Sequence, residues 1–145
     1  VDLNGLDFSP AMLGKALKRA KDAKCRASFI EEDACDMCSV PDACYDWVLA
    51  TFLCCVIPRE LQGQVIGEIA RVLKPGGRFR SLEMVYSGKP HLRRRQDPFA
   101  PFVEKVYGAR FDRDTLGHLK EAEKLRVTGT RFLRHDIYLL IEGVR

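Results

Sequence analysis

No apolar run in this chain is long enough to span a membrane as a helix, and its opening, Val1-Asp2-Leu3-Asn4, has neither the positive start nor the apolar stretch of a signal peptide. A first residue of Val in place of Met is what a processed or truncated product shows. Internal repeats and low-complexity tracts are missing too, so nothing interrupts a single globular pattern. Charge of one sign is scarce: 24 Lys and Arg stand against 20 Asp and Glu, and a net charge of +4 gives no reason to expect a nucleic-acid partner. The six cysteines lack the spacing of a disulfide framework. They read as reduced thiols of an intracellular compartment, cytoplasmic or organellar, with no structural disulfide. The single Cys-x-x-Cys, Cys35 to Cys38 with Cys44 behind it, has no second pair to complete four zinc ligands, so no metal is expected. Cys54 and Cys55 follow an apolar run, where small thiols commonly pack.

What is present is an ordinary globular composition, 46% hydrophobic and 30% charged over 145 residues, enough for one core and one domain, 1–145. Gly5-Leu6-Asp7-Phe8-Ser9-Pro10-Ala11-Met12-Leu13 reads as a strand end, an acidic residue and a helix start, with Ser9 as cap and Pro10 at the first helical position. Leu13, Ala16, Leu17 and Ala20 then recur at helical spacing to about Lys24. A short strand at 26–31 and an acidic loop at 32–44 follow, and Tyr45 to Leu53 has the continuous apolar character of a parallel strand buried on both faces. From Pro58 a helix carries Leu61, Val65, Ile69 and Leu73 on one stripe, and Lys74-Pro75-Gly76-Gly77 stops it. Arg78 to Tyr86 is the next strand, left through a loop with Gly88 and Pro90. Helices are expected over about 97–107 and 114–123, with Asp112 or Asp114 as cap, before strands at 125–133 and 137–144 that pair as an antiparallel hairpin. Such alternation predicts an α/β fold, a mostly parallel sheet with helices on its faces and the hairpin at one edge.

Asp7 at a strand's carboxyl end sits where ligands bind in open α/β sheets, and a carboxylate there suits the hydroxyls of a ribose. Gly5 to Leu13 resembles the second-strand motif of class I S-adenosylmethionine-dependent methyltransferases, in their UbiE-like branch. Three further segments occur in that family's order: Phe29-Ile30-Glu31-Glu32-Asp33-Ala34, Tyr45 to Leu53, and Arg71-Val72-Leu73-Lys74-Pro75-Gly76-Gly77-Arg78-Phe79. The resemblance implies a Rossmann-like methyltransferase fold and S-adenosylmethionine as cofactor. Asp7 would bind the ribose and Phe8 flank the adenine; Asp33 would accept from the adenine amino group and the Ala34 amide donate to the ring. Thr51 and Phe52 would face the methionine part, while Asp46, at the other strand end, is structural. Read without the resemblance, the first two segments are a capped helix start and a solvated acidic turn. The implied activity is methyl transfer to a small-molecule or lipid-like acceptor. Methyl transfer from a sulfonium needs alignment above all, and a general base depends on the acceptor; the candidates are Glu83, Tyr86, His91 and Tyr107.

In that family a glycine-rich loop, with the first strand and helix, precedes the motif that here ends at Asp7. The chain is therefore expected to hold an N-terminally incomplete domain, with two strand edges needing partners, that is not a self-sufficient enzyme. A second reading follows: a catalytically inactive, methyltransferase-like subunit whose open sheet a protein partner fills within a larger complex. Residues 87–123 fall where the family places its variable, substrate-side helical insertion. The basic stretch Lys89 to Arg95 beside an aromatic-rich segment reads either as a solvated face or as a peripheral contact with an anionic membrane.

Overall fold

The computed structural model describes residues 2–134 and 136–145. They divide into two compact units, one ending at Ser39 and the other running Val40–Arg145. The order of elements is the alternation the sequence predicts, an α/β pattern closed by an antiparallel hairpin.

The first unit is a strand–helix–strand motif: β1 (Leu3–Asp7), α1 (Pro10–Asp22) and β2 (Ala27–Glu31). The strands are parallel and in register from Leu3 opposite Ala27 to Asp7 opposite Glu31. Gly5 lies opposite Phe29, and a Cβ there would stand 2.8 Å from the Phe29 ring, so the close approach of ring to backbone requires glycine. Pro10 opens α1 as expected, but the Ser9 hydroxyl makes no capping bond. The turn is closed by the backbone: the Ser9 carbonyl accepts from the amides of Met12 and Leu13, both at 3.0 Å, while the Ser9 amide donates to Asp7 Oδ1 at 2.9 Å. Arg19 and Lys21 in the last turn complement the helix dipole. Leu13, Ala16 and Ala20 are half-buried and Leu17 is exposed, so the stripe is amphipathic without being sunk in a core.

The second unit contains a four-stranded sheet in the order β3-β4-β6-β5, where β3 is Tyr45–Thr51, β4 Leu73–Met84, β5 Arg126–Leu133 and β6 Tyr138–Val144. β3 runs parallel to β4, and β6 is antiparallel to both β4 and β5. After a 3-10 turn at Arg59–Leu61 comes α2 (Gln62–Val72). Then follow α3 (Pro90–Gln96), α4 (Ala100–Tyr107) and α5 (Thr115–Glu121) between β4 and β5. Val48, Ala50, Phe79 and Ser81 line one interior space with Ile66 and Ile69 of α2 and Leu119 of α5, which identifies the covered face.

Four expectations are corrected here. β3 is buried on one face only: Trp47 and Leu49, pointing away from α2, are 46% and 66% exposed, and Arg78 and Arg80 lie over the Trp47 ring at 5.6 and 5.3 Å. Apolar character in every position of a strand does not say how many of its faces are covered. Leu73 opens β4 rather than ending the helix, and the register jumps from Tyr45–Leu73 to Trp47–Arg78. Gly76 at φ +78° and Gly77, whose added Cβ would meet the Lys74 carbonyl at 2.8 Å, absorb that irregularity. Pro58 precedes a 3-10 turn, so α2 starts at Gln62. Finally, Pro90–Gln96 is a helix where a loop was expected, with Pro90 at its start and Gln96 buried; the Gln96 side chain accepts from the Ser87 amide at 2.8 Å and donates to the Val85 carbonyl at 2.9 Å.

Candidate functional site

In the first unit, parallel pairing puts the carboxyl ends of β1 and β2 side by side, with Asp7 opposite Glu31 and Asp33 two residues further on. Asp7 Oδ1 is taken by the Ser9 amide at 2.9 Å. Asp33 Oδ1 accepts from the Cys35 amide at 2.8 Å, and its carbonyl accepts from Asp36 at 3.0 Å. Both aspartates are thus oriented by local backbone turns, and each carboxylate keeps acceptor capacity for hydroxyl or amino donors. Phe8 is 74% exposed beside Asp7, and Ala34 is buried beside Asp33. The four residues assigned to adenosine recognition therefore share one end of this small sheet.

The Cys-x-x-Cys lies in the same segment. Burial, and then the hydrogen bond and charge of Asp33, push the Cys35 thiol up to about 11. The Cys38 thiol donates to Glu32 Oε1 at 3.3 Å, and that bond with the carboxylate's charge raises it as well. Both shifts make these thiols less nucleophilic at neutral pH. Among the described residues, no group of three or more His, Cys, Asp or Glu side chains is placed to hold a metal ion.

In the second unit, Thr51 closes β3 with its side chain exposed, and Phe52 takes the left-handed backbone at φ +55°. The Phe52 amide donates to the Leu82 carbonyl at 2.7 Å, and its ring lies 5.4 Å from Tyr138. The chain then turns into two consecutive amides, Cys54 and Cys55, that donate to the two carboxylate oxygens of Glu83 at 3.2 and 2.9 Å. The Ser81 hydroxyl adds a third donor at 2.7 Å. Gln62 Nε2 donates to the Cys54 carbonyl at 2.7 Å and the Arg110 amide to the Cys55 carbonyl at 2.8 Å. Glu83 is fully buried, and burial raises its pKa against the opposing pull of those hydrogen bonds. Burial and then the Glu83 charge push the Cys54 and Cys55 thiols up to about 12.

Glu83 was a candidate general base; its geometry is instead that of a clamp, because both oxygens are committed to holding the turn that follows β3. The other three candidates are spread over the loop after β4, α3 and α4. Tyr86, half-buried, packs 5.4 Å from Phe111 with the Arg93 guanidinium 4.6 Å above its ring. His91 is exposed on α3, and Tyr107 is 67% exposed at the end of α4. Asp46 is paired with Lys74 Nζ at 2.9 Å, at the end of β3 away from Thr51. Gln62 and Ser81 escaped the sequence reading. A carboxylate flanked by Leu82 and Met84 was the available signal that Glu83 had buried partners to find.

The methyltransferase domain family matches residues 1–77, just over half of the chain. A phosphatidylethanolamine N-methyltransferase of Cereibacter sphaeroides is 34% identical over 130 residues, covering 88% of this chain and 58% of that protein. A sterol 24-C-methyltransferase of Eremothecium gossypii is 34% identical over 123 residues, covering 80% of this chain and 32% of that protein. The chain thus spans little more than half of one relative and a third of the other. Among solved structures, the N-methyltransferase NodS of Bradyrhizobium japonicum WM9 in complex with S-adenosyl-L-homocysteine superposes with a TM-score of 0.70 at 17% identity, over 99% of this chain and 66% of that one. At that identity the likeness speaks for the fold alone. The sequence family and the fold agree: the chain belongs to the methyltransferase domain family.

Proposed function

We propose that the protein transfers a methyl group from S-adenosylmethionine to a small-molecule or lipid-like acceptor, and that Asp7 and Asp33 hold the adenosine part of the cofactor. The observation that carries this reading is the placement of both carboxylates at the carboxyl ends of neighbouring parallel strands, each oriented by a backbone amide. Carboxylates only accept, so they fit the ribose hydroxyls and the adenine amino group and disfavour a phosphate. In this reading Asp7 takes the ribose, Phe8 covers the adenine, and Asp33 with the Ala34 amide reads the adenine edge. The bound cofactor supplies an activated methyl group on a sulfonium, so the chain's own residues orient and exclude water more than they transfer protons. Both curated relatives are named for lipid acceptors, phosphatidylethanolamine and a sterol, which supports an acceptor of that class.

Calorimetric titration of the full-length protein with S-adenosylmethionine tests the cofactor assignment. Binding by the full-length protein, weakened about tenfold or more by Asp7→Asn and by Asp33→Asn, is the expected outcome. Failure of the full-length protein to bind would remove the reading. Undiminished affinity in either variant would remove that residue's role.

A further inference from the structure

The geometry of α3 and α4 points to a function separate from cofactor binding: we propose that these two helices form a docking surface for an anionic lipid bilayer. Phe99, Phe102, Val103, Val106 and Tyr107 follow the spacing of a single helical stripe. A stripe of that kind ordinarily faces a core. Here it faces outward: Phe99 is 64% exposed, Phe102 59%, Val106 52% and Tyr107 67%, and α4 has no buried residue. Contiguous exposed apolar patches mark contact surfaces.

Charge selects the partner. α3, the element immediately before α4, presents Arg93, Arg94 and Arg95 in succession, all exposed. Arg93 rests on the Tyr86 ring and Lys89 is paired with Asp136 at 2.9 Å, whereas Arg94 and Arg95 make no ion pair among the described residues. The acidic side chains around α4 are largely neutralised: Arg110 holds Glu104 at 3.1 Å and Asp112 at 3.0 Å, leaving Asp97 as the exposed carboxylate between the two helices. A basic helix followed by an outward aromatic stripe is complementary to a surface that is anionic at its headgroups and apolar beneath them. Guanidinium groups bind phosphate bidentately, and aromatic side chains settle at the interface. A purely apolar protein partner would have no use for three adjacent arginines.

Cosedimentation of the chain with vesicles tests this without cofactor, so its outcome is independent of the methyl-transfer reading. The chain is expected to pellet with mixed phosphatidylglycerol and phosphatidylcholine vesicles, to remain in solution with phosphatidylcholine alone, and to be released by high salt. Arg94→Gln with Arg95→Gln, which leaves the Arg93–Tyr86 contact intact, should weaken partitioning about tenfold. Phe102→Ser with Tyr107→Ser should weaken it comparably with an unchanged circular dichroism spectrum. Equal binding to neutral vesicles, no binding to either, or undiminished binding by both variants would overturn the proposal.

Discussion

Three donors converge on Glu83, the amides of Cys54 and Cys55 and the hydroxyl of Ser81, and none of them has water to fall back on. Glu83→Gln replaces an acceptor with an amide donor against those groups, and should lower unfolding free energy in urea by about 1–3 kcal/mol. The pH dependence has a definite sign. Burial holds the Glu83 pKa above its ordinary value of 4.5, so the folded state binds the proton more tightly than the unfolded one. Wild-type stability should therefore fall, relative to the Gln variant, as pH rises from about 4.5 through the folded-state value, and the gap between the two proteins should narrow over that window. The thiols give a second residue-scale test. Cys54 and Cys55 are buried and pushed up to about 12, while Cys25 is exposed. Brief alkylation at neutral pH, followed by mass spectrometry, should label Cys25 and spare Cys54 and Cys55; labelling of the buried pair in folded protein would contradict the clamp. Sequence showed the carboxylate and its strand but not the amides that reach it from a turn 28 and 29 residues away, which is why Glu83 read as a candidate base.

At the level of elements, the hairpin and α5 were legible because their signals are local. β5 and β6 are separated by too few residues to pair any other way, and Asp114 caps α5 by accepting from the Gly117 amide at 2.9 Å. Asp114→Ala should cost about 0.5–2 kcal/mol in thermal or chemical unfolding. Gly143 on β6 lies opposite Phe79 on β4; a Cβ there would collide with the Phe79 ring and stand 2.6 Å from the Arg126 carbonyl. Gly143→Ala should therefore destabilise by about 1–3 kcal/mol, whereas Gly67→Ala, with nothing within 4 Å of its added Cβ, should be neutral or mildly stabilising. α3 was not legible, because its sequence of Pro90, His91 and three arginines has no apolar periodicity, and a buried Gln96 supplies its anchor. The one-faced burial of β3 was hidden for the opposite reason: Trp47 and Leu49 look like core residues whether or not anything covers them.

At the scale of the whole chain, the order of strands and helices was readable from alternation, and the acidic strand ends with the Lys74 to Gly77 turn carried a family resemblance that the domain match bears out at the level of a methyltransferase domain. What alternation cannot convey is which strands hydrogen-bond. β1 and β2 form their own two-stranded sheet, and among the described residues β3 pairs only with β4. The account therefore rests on Asp7 and Asp33. The most direct measurement is the affinity of S-adenosylmethionine for the natural full-length protein and its Asp7→Asn variant, by calorimetry at the same salt and pH. Measurable binding that weakens about tenfold or more in the variant is the outcome foreseen. Equal affinity in the two proteins, or no binding by the wild type, would contradict it.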